Sequence, residues 1–290
     1  LIRLAILGVD SSHAELFGRL VLDRKDVLGN DVSISAVWGE CDAEALRLAT
    51  ALHLDAPART PESALQRADG ALVLGRFADA HRVPACLAIE RGVPTFIDKP
   101  VADSVGVIRE FSALADKHKC LVTGGSALRW CSEVGRATNA LASGDARLIS
   151  VRGPAHCTDL GDDPRFESVF FYGVHAVEML LQTLGHRIED VTIEKRPDGI
   201  HARCRTARGR GQIDLLRRTP EFYEIGAYGP RVAGASVVAL DGTYNLEMLR
   251  RFVSAVRGNE APVSLDSTLA ATHLLAQIHE VGLTHKGRDD

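Results

Sequence analysis

The chain has 290 residues, 46% of them hydrophobic and 25% charged, the composition of an ordinary globular protein with room for one large domain or two of usual size. A net charge of −4 and a pI near 6.3 exclude the strongly basic face that a nucleic-acid binder needs. No apolar run reaches the roughly 18–20 residues that cross a bilayer, so neither nucleic acid nor a membrane is expected as a partner.

The first half alternates strand and helix signals. Residues 2–7 read as a strand, 12–23 as a helix, 33–38 as a strand and 42–53 as a helix. Thr60 and Pro61 open a short helix through about residue 67, with Thr60 as N-cap and Pro61 where a missing N–H costs nothing. A strand at 71–74, a helix at 79–91 stopped by Gly92, a strand at 95–97, a helix at 103–118 and a strand at 120–123 follow. Such regular alternation with short loops predicts a doubly wound parallel sheet of Rossmann type, which binds ligands beyond the carboxyl ends of its strands.

After about residue 145 the pattern changes. A strand at 148–152 and a helix at 173–184 precede strand-like runs at 191–195, 200–206, 213–216, 222–228 and 237–240. Helices at 244–256 and 265–283 complete the chain. Strands without intervening helices predict an α+β domain with a mostly antiparallel sheet. The expected organisation is therefore a dinucleotide-binding domain over 1–122 and a substrate and dimerisation domain over 123–290, with the last helices packing partly back on the first. The amino end enters a strand at once, so no signal peptide is expected. The six cysteines are scattered without a C-x-x-C pair, which predicts buried free thiols and a cytoplasmic protein.

The first strand ends at Gly8, the start of a dinucleotide-binding turn. In the pattern G-x-G-x-x-G the second and third glycines fall at Asp10 and His13. Ser11 and Ser12 keep N-cap chemistry and donors at the helix start, where a pyrophosphate normally rests. Asp10 is the difficulty. An inward carboxylate about 4–5 Å from a phosphate is repelled by roughly 3–4 kcal/mol at an effective dielectric near 20; one that points away, or accepts hydrogen bonds from the turn, is not. His13 removes a close-packing glycine but offers an imidazole donor. After the second strand, Glu40 stands one residue beyond the place of the acid that binds the adenosine ribose. A carboxylate there favours NAD over NADP.

Asp98, Lys99 and Pro100 lie at the carboxyl end of a buried strand. Here the chain resembles the Gfo/Idh/MocA oxidoreductases, the family of glucose–fructose oxidoreductase and inositol dehydrogenase, whose strand-end signature is E-K-P. Ala80 and His81, followed by AIERGVP, resemble the segment leading into that signature. Residues 126–130 resemble the following loop, which usually carries an arginine, here Arg129. GVHAVEML resembles the family's G-x-H helix start, and FVSAVRGNEAPVSLDSTLAATHLLAQIHEVGL its carboxy-terminal region. The resemblance implies NAD or NADP bound by the glycine turn, Glu40, His81, Asp98 and Lys99. It also implies a polar small-molecule substrate, Lys99 as the group that polarises the substrate oxygen, Arg129 as a substrate-positioning residue, and a homodimer formed through the second sheet. Val238 and Leu240 are expected on the hidden face of that dimer.

His175 follows Gly173 at a helix start. Its unperturbed pKa, about 6.5, suits proton transfer near neutrality. Family members often read D-x-G-x-H, and Phe171 stands where that acid would be, leaving Glu178 or Asp159 to orient the ring. Tyr172 is a reserve proton donor. His156, Cys157 and Asp159 lack ligand-grade spacing, so no metal is expected. The leading expectation is an NAD(P)-dependent oxidoreductase acting on a secondary alcohol or ketone of a sugar, cyclitol or related metabolite. The alternatives are a redox-silent binder of a metabolite or partner, supported by Asp10, His13 and Phe171, and a non-redox lyase or isomerase.

Overall fold

The computed structural model describes residues 1–157 and 163–283. These form two compact units. One comprises Leu1–Gly125 with Asn245–Thr268, and the other Ser126–Tyr244 with the described residues from Leu269 onward.

The first unit is built on five strands: β1 (Ile2–Leu7), β2 (Val32–Trp38), β3 (Gly70–Val73), β4 (Thr95–Ile97) and β5 (Val122–Gly124). They run parallel in the order β2-β1-β3-β4-β5. Leu4, Ala5, Ile6 and Leu7 are wholly buried, as are Ala71, Leu72 and Val73, because helices cover both faces and no polar alternation is needed. The helices are α1 (Ser12–Asp23), the four-residue α2 (Lys25–Leu28), α3 (Asp42–Ala51), α4 (Pro61–Leu65), α5 (Arg82–Glu90) and α6 (Val105–His118). Helix α4 has the expected Thr60 cap, closed as a capping box with Ser63. The single helix expected over 79–91 is instead a 3₁₀ turn, Ala78–Ala80, followed by α5, with His81 at the junction.

A late segment completes this unit. In α9 (Thr243–Val256), Phe252 meets Phe96 of β4 with ring centroids 5.8 Å apart, and Phe96 meets Phe17 of α1 at 5.6 Å. Each such pair adds about 0.5–1.5 kcal/mol beyond its buried area. Thr123 Oγ1 donates to Val263 O at 2.9 Å, fastening the following chain to β5.

The second unit holds β6 (Leu148–Cys157), β7 (Ile188–Arg196), β8 (Gly199–Thr206), β9 (Gly209–Thr219), β10 (Glu224–Tyr228) and β11 (Ala233–Val237), in the order β11-β10-β6-β9-β8-β7. Among the described residues only the β6–β9 pairing of this sheet is parallel. Along β8, Ile200, Ala202 and Cys204 join the core while Arg203 and Arg205 point the other way, the period of two of a strand, and on that second face His201, paired with Asp214, is buried as well. Helices α7 (Ser132–Ala142), α8 (Gly173–Leu184) and α10 (Leu265–Leu283) contribute residues to that core. In α8 every residue except Gln182 is buried.

Two features depart from the sequence expectation. Helix α7 has no strong apolar signal: Gly135, Thr138 and Asn139 are weak helix formers, and burial of Val134 and Ala137 holds it. The last strand comes earlier than expected, at Ala233–Val237, and is exposed throughout. Val238 lies past its end, with its amide donating to Tyr223 O at 2.8 Å and its side chain in the unit's own core, while Leu240 is outside any strand and 44% exposed. Val238 is therefore turned into its own core rather than onto the face expected of it, and Leu240 is not on the strand expected to carry it. Cys120, Cys131 and Cys204 are buried thiols, which burial pushes up to about 11, but Cys41 is exposed. Among the described residues no helix is long and apolar enough to cross a membrane.

Candidate functional site

In the first unit the carboxyl ends of β1, β3 and β4 lie side by side, and the residues singled out in the sequence gather there. Gly8 takes φ +97°, and a Cβ on it would stand 2.6 Å from the backbone nitrogen of Gly75, after β3. Only glycine fits that crossing. Ser11 caps α1, its hydroxyl accepting the His13 amide at 3.2 Å, while Ser12 is exposed in the first turn.

The Asp10 carboxylate has a partner that the sequence did not indicate. Its two oxygens each lie 3.3 Å from the Arg76 amide, and Arg76 Nε donates to Asp10 O at 2.8 Å. The guanidinium is thus held beside the turn by the Asp10 carbonyl, while the carboxylate accepts from the Arg76 backbone amide. Nothing local betrays Arg76; its partner is 66 residues away.

His13 meets the strand-end acid. Its Nδ1 lies 2.7 Å from Asp98 Oδ2. Burial alone pushes the Asp98 carboxyl up, but the His13 imidazole, aided by the charges of Lys99 and His81, outweighs it and holds the carboxyl below its ordinary range. Lys99 is only 9% exposed. His81, expected to touch a cofactor, is wholly buried. Nε2 lies 2.7 Å from Gly75 O and Nδ1 3.0 Å from Pro100 O. It is a brace between the loop after β3 and the loop after β4, not a cofactor contact. Glu40 lies exposed just beyond β2.

In the second unit, the 3₁₀ turn Ala127–Trp130 and the first turn of α8 make a buried polar cluster. Ser126 Oγ lies 2.6 Å from His175 Nδ1, and the Ser126 amide donates to Glu178 Oε2 at 2.6 Å. The same oxygen accepts Arg129 Nε at 2.8 Å, with both side chains almost fully enclosed. Arg129 therefore engages Glu178 through Nε in a buried ion pair, where the resemblance implied a substrate contact. The group at His175 Nδ1 is Ser126, while Glu178 is engaged by Ser126 N and Arg129; Asp159 lies outside the described residues. The reason is geometric: Glu178 is one turn along α8 from His175 and faces the 3₁₀ turn.

Phe171, at the place of the family acid, packs edge-on against Phe166 at 4.8 Å and Tyr172 at 4.9 Å. Tyr172 is 9% exposed, and its carbonyl accepts the Tyr223 hydroxyl at 3.4 Å. Tyr223 is fully buried and edge-on to His175, with ring centroids 5.1 Å apart. Among the described residues no cluster of His, Cys, Asp and Glu could hold a metal ion.

No protein-family model and no curated protein sequence matches the chain. Solved structures match over nearly its whole length. GenD2 from gentamicin A biosynthesis, in complex with NAD, superposes with a TM-score of 0.82 at 18% identity, over 98% of this chain and 95% of that one. A myo-inositol dehydrogenase from Corynebacterium glutamicum gives 0.81 at 15% identity, over 97% and 96%. A Gfo/Idh/MocA family oxidoreductase from Vibrio cholerae gives 0.72 at 17%, over 97% and 96%. At these identities the likeness is one of fold: a Rossmann-type sheet followed by a second, mostly antiparallel sheet.

Proposed function

We propose that the chain is a nicotinamide-dependent oxidoreductase acting on a secondary alcohol or ketone of a polar metabolite such as a sugar or cyclitol. The observation that carries this reading is Lys99. A lysine 9% exposed, at the carboxyl end of a Rossmann strand and beside a carboxyl kept ionised by His13, is a costly arrangement for a merely structural residue. The fold it shares with an NAD-bound protein supports the same reading.

The residues of the turn fit a dinucleotide. Gly8 lets the backbone pass close, Ser11 and Ser12 open α1, and Arg76 brings a cation to the turn through the Asp10 carbonyl. The nicotinamide, when bound, supplies the acceptor or donor of a hydride. Glu40, exposed after β2, would accept from ribose hydroxyls and repel a 2′-phosphate, so NAD is preferred to NADP. The Lys99 ammonium would polarise the substrate oxygen and stabilise charge developing on it. His175 would carry the substrate proton, and Tyr172, being mostly buried, is held in reserve.

A redox-silent binder is the second reading, favoured by the aromatic group around Phe171 where the family acid would stand. Fluorescence titration with NADH and NADPH, followed by a turnover screen of sugars and cyclitols with NAD, separates the two. Saturable NADH binding with turnover on at least one polyol is expected. Absence of NADH binding would sink the oxidoreductase reading.

A further inference from the structure

We infer that the cavity at the carboxyl ends of β6 and β9 binds a small polyhydroxylated anion, a sugar acid or a sugar phosphate. Arg217 and Arg218 take its anionic group, and Glu167 and Asp198 accept from its hydroxyls. The cavity is lined by the second unit alone, and the inference does not depend on the oxidoreductase reading.

The strand ends are irregular for a reason visible in the sequence. Pro154 has no N–H to give to the ladder, and the β6–β9 register slips on either side of His156. Ala155 is left out of the pairing on one strand and Arg218 on the other. Arg218 takes φ +52°, in the left-handed region that an arginine enters only at a cost. A bulge of this kind re-aims side chains, and here Arg217, Arg218 and Thr219 all line the cavity. The Arg217 amide donates to Asp198 O at 2.9 Å, which ties the β7–β8 hairpin to the same wall.

The cavity measures about 870 Å³, within the range of small-molecule sites. Its charges are left unpaired. Among the described residues neither arginine has a carboxylate within ion-pair distance, and neither Glu167 nor Asp198 has a cation. Thr219 Oγ1 is buried without a hydrogen-bond partner, an exception to the rule that enclosed hydroxyls are satisfied. His156 is held below its ordinary value, first by burial and then by Arg217, against the pull of Glu167, so its ring is neutral near pH 7. Two guanidinium groups and a hydroxyl suit an oxyanion, whereas two carboxylates suit hydroxyl donors. Ile200 and Leu216 supply an apolar wall on which the C–H face of a sugar packs. A bare anion leaves the carboxylates opposed to it, and a neutral sugar leaves the arginines unmatched. Only a ligand with both kinds of group meets the whole lining.

The test is isothermal titration calorimetry of the full chain with D-gluconate, D-glucose 6-phosphate, D-glucose and inorganic phosphate. At least one of the two sugar anions should bind saturably, roughly tenfold or more tighter than glucose and phosphate. The tighter of the two tells a carboxylate ligand from a phosphate one. Arg218→Gly should weaken that ligand roughly tenfold without lowering the thermal midpoint, because glycine adopts the left-handed conformation freely. Arg217→Met should weaken it by a similar factor. Thr219→Val should weaken it about fivefold and cost no stability, since the hydroxyl has no partner to lose. Lys99→Met should leave the affinity unchanged, which separates this cavity from the strand-end lysine. No saturable binding of either sugar anion overturns the inference, as does glucose or phosphate binding as tightly as they do. Binding that Lys99→Met abolishes and the two arginine variants leave intact also overturns it, because the ligand then sits at the lysine. Should Arg217→Met not fold, Arg218→Gly and Arg218→Asn, both suited to the left-handed region, are read in its place.

Discussion

His13 Nδ1 lies 2.7 Å from Asp98 Oδ2, so the residue at the third glycine position of the turn is the partner of the strand-end acid. His13→Gly would restore the glycine pattern but strand a carboxylate that is 3% exposed. Leaving a buried acceptor unsatisfied costs about 1–3 kcal/mol, and urea unfolding at neutral pH should show a loss of that size. The Asp98 carboxyl is lowered in the folded state, so its stabilisation is present above its unfolded value near 3.9 and is lost as pH falls through the lower folded value. In His13→Gly the carboxyl rises, and acid unfolding should begin at higher pH. An acid transition identical to wild type would show that the pair adds nothing.

The Asp10 and Arg76 contacts predict opposite effects on dinucleotide binding. Asp10→Asn keeps an acceptor for the Arg76 amide and removes the charge, so NADH should bind roughly fivefold tighter, about 1 kcal/mol. Arg76→Ala removes a cation from beside the turn and should weaken NADH roughly tenfold, about 1.4 kcal/mol. Both dissociation constants come from fluorescence titration. Equal constants in wild type and both variants would place these charges out of reach of the pyrophosphate.

Arg129→Met should behave as a stability mutant. Removing one partner of an enclosed ion pair costs about 3–5 kcal/mol, because Glu178 keeps its charge and loses its cation. Thermal unfolding and urea titration measure this. A variant of wild-type stability with a raised KM would return Arg129 to the role of a substrate contact.

Lys99→Met keeps much of the lysine stem and removes the ammonium. Loss of an oxyanion-type donor reduces turnover by about 10²–10³, while NADH binding should stay within a few-fold of wild type. His175→Asn removes proton transfer, a separate loss of about 10²–10⁴. Near-wild-type kcat in either variant would remove that residue from the chemistry.

What the sequence determined by itself is what depends on neighbours along the chain. The bounds of β1, α1 and α8 follow from apolar runs, the Ser11 cap and the Gly185 stop, and they stand in the structure at Ile2–Leu7, Ser12–Asp23 and Gly173–Leu184. The doubly wound first sheet follows from the alternation of elements, and the placing of Gly8, Asp10, His13, Asp98 and Lys99 at one edge follows from that sheet. Tertiary structure alone decided what those side chains do. Asp10 is separated from Arg76 by 66 residues, His13 from Asp98 by 85, and Ser126 from His175 by 49. Arg129 looks the same in the sequence whether it faces a substrate or a buried glutamate, since a guanidinium serves both. Helix α7 and strand β11 belong to the same class: the first has little apolar signal of its own, and the second is set by its pairing with β10. Local chemistry sets elements and their ends; long-range burial chooses each charged group's partner, because the cost of enclosing a charge is met only by groups the fold brings from elsewhere.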